Sequence, residues 1–215
     1  GEQYPRRSEV GTFEAVDVRA VARQNIKVSY DPDTGFFGSE VKGTKYQLTV
    51  SEYDKILLVS RDGSFKIISP EDRILFPSPV IHAEIFDPEE GSAFTVVYRD
   101  KDKIAWAKKI HIKAFIRDRE YELIKGKTGR VDYLIPGDCN DTVHVDFVPA
   151  KRQRVHEAEF DLSVLDVIGV SARGRRVAPK PVAKLRRIRT DESDPGPDDE
   201  PPPEKKPDDG DLPFE

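Results

Sequence analysis

The chain never sustains a helical period, and this limits it to one fold class. Its apolar residues come in short runs, YQLTVS, KILLVS, SFKIIS, AFTVVYR, KIAWAKK and TVHVDFV, separated by clusters of Asp, Gly, Pro and Lys. No segment holds a 3.6-residue repeat for three turns, although residues 14–24 (EAVDVRAVARQ) carry an unassigned trace of one. Many short β-branched and aromatic runs at close spacing predict an all-β architecture.

Asp62-Gly63 stands between KILLVS and SFKIIS and predicts a hairpin whose two turn residues both take positive φ. The pattern recurs 111 residues later, where Ile56–Ile74 aligns without a gap on Val167–Leu185 and Gly63 falls on Gly174. VVYRDKDKIAWAKK (Val96 to Lys109) reads as a further hairpin, and YELIKGKTGRVDYLI (Tyr121 to Ile135) as another around Thr128-Gly129. Roughly four hairpin-centred units over residues 12–190 imply small sheets packed radially, as in a propeller, with each hairpin tip displayed at the rim.

Charge is unevenly distributed. The net −5 of the 215 residues hides a basic body, because residues 191–215 hold eleven acids against two bases. That proline-rich segment has too little apolar surface to offset the entropy of folding and is read as a disordered acidic tail. Immediately before it, residues 171–190 (SARGRRVAPKPVAKLRRIRT) contain eight Lys and Arg and no acid.

The expected tips and the strands after them are cationic. They carry Arg61 and Lys66, then Lys101, Lys103, Lys108 and Lys109, then Lys125, Lys127 and Arg130, and finally Arg173, Arg175, Arg176 and Lys180. Lys and Arg also blunt exposed strand edges against aggregation, and that suffices for any one of them. Taken as a set beside the all-basic strip, they favour a curved track for a polyanion, with nucleic acid as the ligand class.

Catalytic patterns do not assemble. Gly126-Lys127-Thr128 resembles the end of a phosphate loop, but Tyr121 stands where that loop needs Gly and a strand follows instead of a helix. Asp31, Asp33 and Gly35 (DPDTGFFG) lack the spacing and the final Glu of a calcium loop and read as a turn. His82, His111, His144 and His156 share no ligand spacing, and Cys139 has no positioned base. Trp106 reads as a packing residue. No catalytic or metal-binding residue is expected.

Three long stretches carry a resemblance. They are Gly35 to Ile68, Phe94 to Gly126 and Leu165 to Arg176, preceded by RRSEV (Arg6 to Val10). Over residues 4–190 the chain resembles the C-terminal domain of the A subunit of bacterial type IIA DNA topoisomerases, topoisomerase IV more than gyrase. The resemblance implies a β-pinwheel, a propeller-like ring whose blades exchange strands and whose basic outer edge binds and bends duplex DNA. It implies a linker from the missing DNA-cleavage core at residues 1–11, the pinwheel at 12–190 and the acidic tail at 191–215. The chain has no methionine and is read as a piece of a longer protein.

The same resemblance places catalysis elsewhere. This piece would use no cofactor, while the parent enzyme would use ATP and Mg. Its partners would be duplex DNA, the N-terminal cleavage core of the same polypeptide, and the ATPase subunit, with no membrane. Its location would be cytoplasmic and chromosome-associated. Two departures from gyrase stand out. The Gln-Arg-Arg-Gly-Gly-Arg-Gly box is reduced to SARGRRVAPK (Ser171 to Lys180), and about four blades replace six, so the ring is expected to be open. Both favour relaxation or decatenation over supercoiling. A protein-interaction propeller whose cations are merely solvated is the alternative reading.

Overall fold

The computed structural model describes residues 25–124 and 129–189, and within them the chain is all-β. The possible helix at 14–24, the linker, Lys125, Lys127 and the acidic tail lie outside the described residues. No described helix is long and apolar enough to cross a membrane.

Sixteen strands form four small sheets. The first holds β1 (Ile26–Asp31), β2 (Phe36–Gly38), β3 (Lys45–Val50) and β6 (Ile74–Leu75) in the order β3-β1-β2-β6. The second holds β4 (Lys55–Ser60), β5 (Ser64–Ile68), β7 (Val80–Phe86) and β10 (Glu120–Glu122) in the order β10-β5-β4-β7. In the third, β8 (Ser92–Arg99) and β9 (Ala105–Ile112) are flanked by β11 (Arg130–Pro136) on one side. On the other side lie β14 (Val167–Ile168) and β15 (Arg175–Arg176), which share the edge of β9. The fourth is β13-β12-β16, from Glu157–Asp161, Thr142–Phe147 and Val182–Ile188.

A single rule generates this order. Each later blade begins with a hairpin, β4–β5, β8–β9 or β12–β13. The chain then returns to the previous blade to pair with the second strand of its hairpin, as β6 on β2, β10 on β5, and β14 and β15 on β9. It comes back as β7, β11 or β16 to pair with the first strand of its own hairpin. Strand exchange of this kind makes the fold a four-bladed β-pinwheel.

Three expectations are corrected here. Tyr121 to Ile135 is not one hairpin, because β10 joins the second sheet and β11 the third. The Val167–Leu185 segment is not a second copy of the β4–β5 hairpin, since its first strands both lie on β9 and β16 belongs to the fourth sheet. Matching turn residues alone make these segments look alike. The true structural equivalents of KILLVS and SFKIIS are β8–β9 and β12–β13. At the β4–β5 hairpin, where the sequence predicts two positive-φ turn residues, only Gly63 takes positive φ, +83°, and its N–H closes a turn on the Ser60 carbonyl at 3.0 Å. That geometry accepts Asp at position 62 without strain.

The runs of apolar residues follow from burial on both faces of the middle blades. Ile56 and Leu58 pack with Val28, Tyr30, Phe37 and Val50 of the first blade. Leu57 and Val59 point the other way, to Phe94, Val96 and Tyr98 of the third. Val97, Ala105 and Ala107 face the fourth, against Val143, Val145 and Val182. Three cores thus join four blades in chain order, and among the described residues none joins the fourth blade to the first.

The outer faces of the end blades are polar. On the first stand Lys27, Lys45, Gln47 and Thr49, and on the fourth His144, Asp146, Glu157, Glu159, Lys184 and Arg186. A polar outer face terminates a stack of repeats. The β13 edge, which receives no returned strand among the described residues, carries Glu157, Glu159 and Asp161, charges that oppose edge-to-edge pairing. Among the described residues the pinwheel is open, in line with the expectation.

Candidate nucleic-acid interface

The hairpin tips are tied to the neighbouring blades by backbone bonds. The Arg61 carbonyl at the β4–β5 tip accepts the Val131 N–H of β11 at 2.8 Å. The Lys103 carbonyl at the β8–β9 tip accepts the Val182 N–H of β16, also at 2.8 Å. Within the fourth blade, at the end of β12, the Val148 N–H donates to the Pro181 carbonyl at 2.9 Å and sets the start of β16 beside the β12–β13 loop. These links set the tips of blades two, three and four side by side along one edge.

Exposed cations collect there. Arg61 stands on the second tip, and Arg130, whose register partner is Arg99, stands beside the third with Lys101 and Lys103. Lys103 and Arg130 border a groove completed by Arg99, Asp100, Gly129 and Ala183. Lys180, half-buried, lies 5.6 Å above the Phe147 ring at the approach to the fourth tip. Arg173 reaches back to the third tip, 4.2 Å above the Trp106 ring and 3.5 Å from Asp100. Trp106 is half-buried and donates its indole N–H to Asp100 at 3.1 Å, the packing role read for it.

Arg175 and Arg176 are exposed on β15, at the outer edge of the third sheet. The Arg176 guanidinium donates to the carbonyls of Ala178 and Pro179 at 2.9 and 2.8 Å, which fixes its direction while leaving it exposed. Gly174 beside them is required by close approach, because a Cβ there would fall 2.3 Å from the Ala107 carbonyl oxygen.

Three of the expected contacts leave this edge. Lys108 is 1% exposed, with its ammonium on the carbonyls of Leu123 at 2.7 Å, Ala172 at 2.9 Å and Val170. Burial lowers its pKa to about 8. Lys109 faces the fourth blade, is 7% exposed and lies 3.7 Å from Asp138. Lys66 is half-buried in mid-strand opposite Glu120. All three follow a tip in sequence, but alternation along the strand turns their side chains into or across the sheet.

One further tip joins the edge and another does not fit it. The β12–β13 loop carries Lys151, Arg152 and Arg154, all exposed and absent from the expected set. Gln153 braces it, accepting the Ala150 N–H at 2.9 Å and donating to the Val155 carbonyl at 2.6 Å. The proline and three cations of VPAKRQRVH are a usable signal, hidden because the loop lacks the Gly-centred turn of the others. The first tip is acidic, since Asp31 folds back onto the Asp33 N–H and the Thr34 hydroxyl. The basic edge therefore runs over three blades.

The polar groups elsewhere form structural contacts. His144 lies 3.3 Å from Asp146 and 3.2 Å from Glu157, a trio compact enough to hold a cation, but Arg186 already donates to both Asp146 oxygens. Cys139 is buried, with its thiol pushed above its ordinary range by desolvation.

The chain is similar to known proteins of one kind. It is 25% identical over 137 residues to the A subunit of DNA topoisomerase 4 from Borreliella burgdorferi, covering 62% of this chain and 22% of that protein. It thus spans about a fifth of that relative's length. Among solved structures, the C-terminal domain of DNA topoisomerase IV aligns with a TM-score of 0.42 at 10% identity, over 76% of this chain and 61% of the other. Residues 27–189, from the first strand of the open pinwheel to the last, match the topoisomerase C-terminal domain of the Bacteroidota, and the chain belongs to that family.

Proposed function

We propose that this pinwheel binds and bends duplex DNA along the edge formed by tips two to four. There it would present a DNA segment to the strand-passage core of a type II topoisomerase. The observation that supports this reading is the pair of backbone links from Arg61 to Val131 and from Lys103 to Val182, which bring the second tip beside Arg130 and the third beside the approach to the 151–154 loop. A row of cations held on hydrogen-bonded turns would contact a phosphate backbone, fix its path and carry little sequence information. The preferred DNA would be the more deformable one.

The parent protein would be an ATP-dependent type II topoisomerase subunit, with cleavage, metal and ATP chemistry in the parts beyond this chain. An open row of four blades and the reduced box at Ser171–Lys180 favour a relaxing or decatenating enzyme.

The test is binding of the chain to a short random-sequence duplex across a salt series. Neutralising about six phosphates predicts an affinity loss of roughly 10³-fold between 50 and 200 mM salt. A linear log–log slope of that size, with increased end-to-end fluorescence transfer on the duplex, supports wrapping. Absence of binding at 50 mM salt would leave a protein-interaction role as the better account.

A further inference from the structure

Lys108 occupies an unusual place in the third blade. On the edge of β9, the returned chain first pairs in parallel, Val167 with Lys109 and Ile168 with Ile110. It then reverses and pairs antiparallel, Arg175 with Ala107 and Arg176 with Trp106. Between these pairings no sheet ladder serves residues 169–174, so their polar backbone groups need other partners. The Lys108 ammonium fills that gap with the carbonyls of Val170 and Ala172, and takes the Leu123 carbonyl with its third proton.

We propose that Lys108 is the positioning residue of the basic edge: it gathers the 169–174 reversal onto the third blade and so sets Arg173 above Trp106. This rests on the DNA-binding reading above and assigns the buried lysine a task within it. The loop's remaining anchors are few. Ala172 N–H donates to the Gly169 carbonyl at 2.9 Å, and Gly174 N–H to the Tyr98 hydroxyl at 3.3 Å. The Leu123 carbonyl directly follows β10 of the second sheet, so the same ammonium also ties the end of that strand to the third blade.

The bonds depend on charge. Three charge-assisted donors become two weaker ones when the amine loses its proton, and burial brings that loss down to about pH 8. The charged or titratable groups around it are Tyr98, whose ring lies 5.9 Å from Nζ, with Asp100, Lys101, Asp102 and Arg173 bordering the same cleft. Residues 169–172 contribute none. Desolvation raises the Tyr98 hydroxyl above its ordinary range, so the lysine is the group expected to titrate first.

Trp106, the single tryptophan, lies under Arg173 and reports the loop directly. The experiment follows Trp106 emission of the full chain from pH 6.5 to 9.5, and amide exchange at residues 169–174, in wild type and Lys108→Met. The expected wild-type emission titrates with a midpoint near 8. In folded Lys108→Met that transition vanishes, and exchange at Gly174 rises about tenfold or more through local opening. Affinity for a random 20-base-pair duplex weakens about fivefold, with a salt slope lower by about one.

Unchanged exchange at 169–174 in folded Lys108→Met overturns the proposal. So does wild-type exchange at residues 169–174 as fast as in an unstructured chain, which decides the matter even if the variant fails to fold. A loop that opens without loss of DNA affinity also overturns it, since Lys108 then serves the fold alone. If the wild type itself binds no DNA, the functional reading fails instead, and the exchange and emission results still stand.

Discussion

Arg99 and Asp132 face each other across neighbouring strands and bond through a two-pronged fork, at 2.7 Å from Nε and 2.6 Å from Nη2. The remaining nitrogen of Arg99 donates to the Ala183 carbonyl at 2.9 Å, so the side chain ties the third blade to the fourth. Asp132 also pairs with Arg130 at 3.2 Å, while the Arg130 side chain stays 59% exposed on the edge. Both partners of the fork are largely removed from water, with side chains 11% exposed. Removing Arg99 breaks the fork and leaves the largely buried Asp132 with only the more exposed Arg130 as a charged partner, which costs more than the pair contributes net. Arg99→Ala is expected to destabilise the chain by about 3–5 kcal/mol in urea titration. Destabilisation by less than about 1 kcal/mol would place the pair among solvent-screened bridges.

The edge itself predicts a gradient of effects on DNA binding. Arg130→Glu, Lys103→Glu and a combined Lys151→Glu, Arg152→Glu and Arg154→Glu variant should each weaken duplex affinity. Each should also lower the salt slope by about one for every phosphate it no longer neutralises. Lys27→Glu, on the polar outer face of the first blade, changes charge equally and should leave the slope unchanged. Equal effects from Lys27→Glu and Arg130→Glu would mean that general charge, and not an edge, governs binding.

The fold class is legible in the sequence because middle-blade strands such as KILLVS are buried on both faces, and a continuous β-branched run has no other good home. Strand exchange is not legible from residues alone. Which sheet β10 or β14 joins depends on long-range pairing that no local turn signal encodes, so Thr128-Gly129 reads as a hairpin although its flanks part into two blades. Arg61, Lys103 and Arg130 can be found from sequence because turns expose their residues. Lys108 cannot be placed that way, because a buried lysine is rare and its carbonyl partners lie 15 to 64 residues away in sequence. The 151–154 loop escapes notice for want of a glycine.

Gly63 links the turn to the packing between blades. Its φ of +83° suits glycine, and a Cβ would fall 2.6 Å from Cγ1 of Ile124, in the core between the second and third blades. Gly63→Ala adds backbone strain of about 1–3 kcal/mol to that collision. Thermal melts should show a lower Tm, and Arg61 at the tip should be held less firmly. An unchanged Tm would mean that Ile124 moves aside freely.

Cys139 gives a chemical test of the core between blades three and four. Its backbone N–H donates to the Thr95 hydroxyl at 3.3 Å, and burial holds its thiol above the ordinary value of 9.0. Alkylation at pH 8 should be at least about tenfold slower in the folded chain than in urea, since the thiolate is the reactive form. The unfolded chain gives up this proton first as pH rises. The group's contribution to stability is therefore complete below the ordinary thiol value and is lost as pH climbs through the raised folded value. Rapid alkylation of the folded chain would show that this core opens readily.

Residues 191–215 hold eleven acids and follow directly on a strip of eight bases that ends at Arg189. Tethered this closely, the acidic segment is expected to act at high effective concentration on Arg173, Arg175, Arg176 and Lys180 and to compete with phosphates for them. A chain ending at Thr190 should therefore bind duplex DNA more tightly, with the largest gain at low salt, where the competing pairs are least screened. Screening also sets the shape of the result: the two salt plots should converge as ionic strength rises. Parallel plots would point instead to a uniform change in net charge, and identical affinities at 50 mM salt would remove the tail from any part in DNA binding.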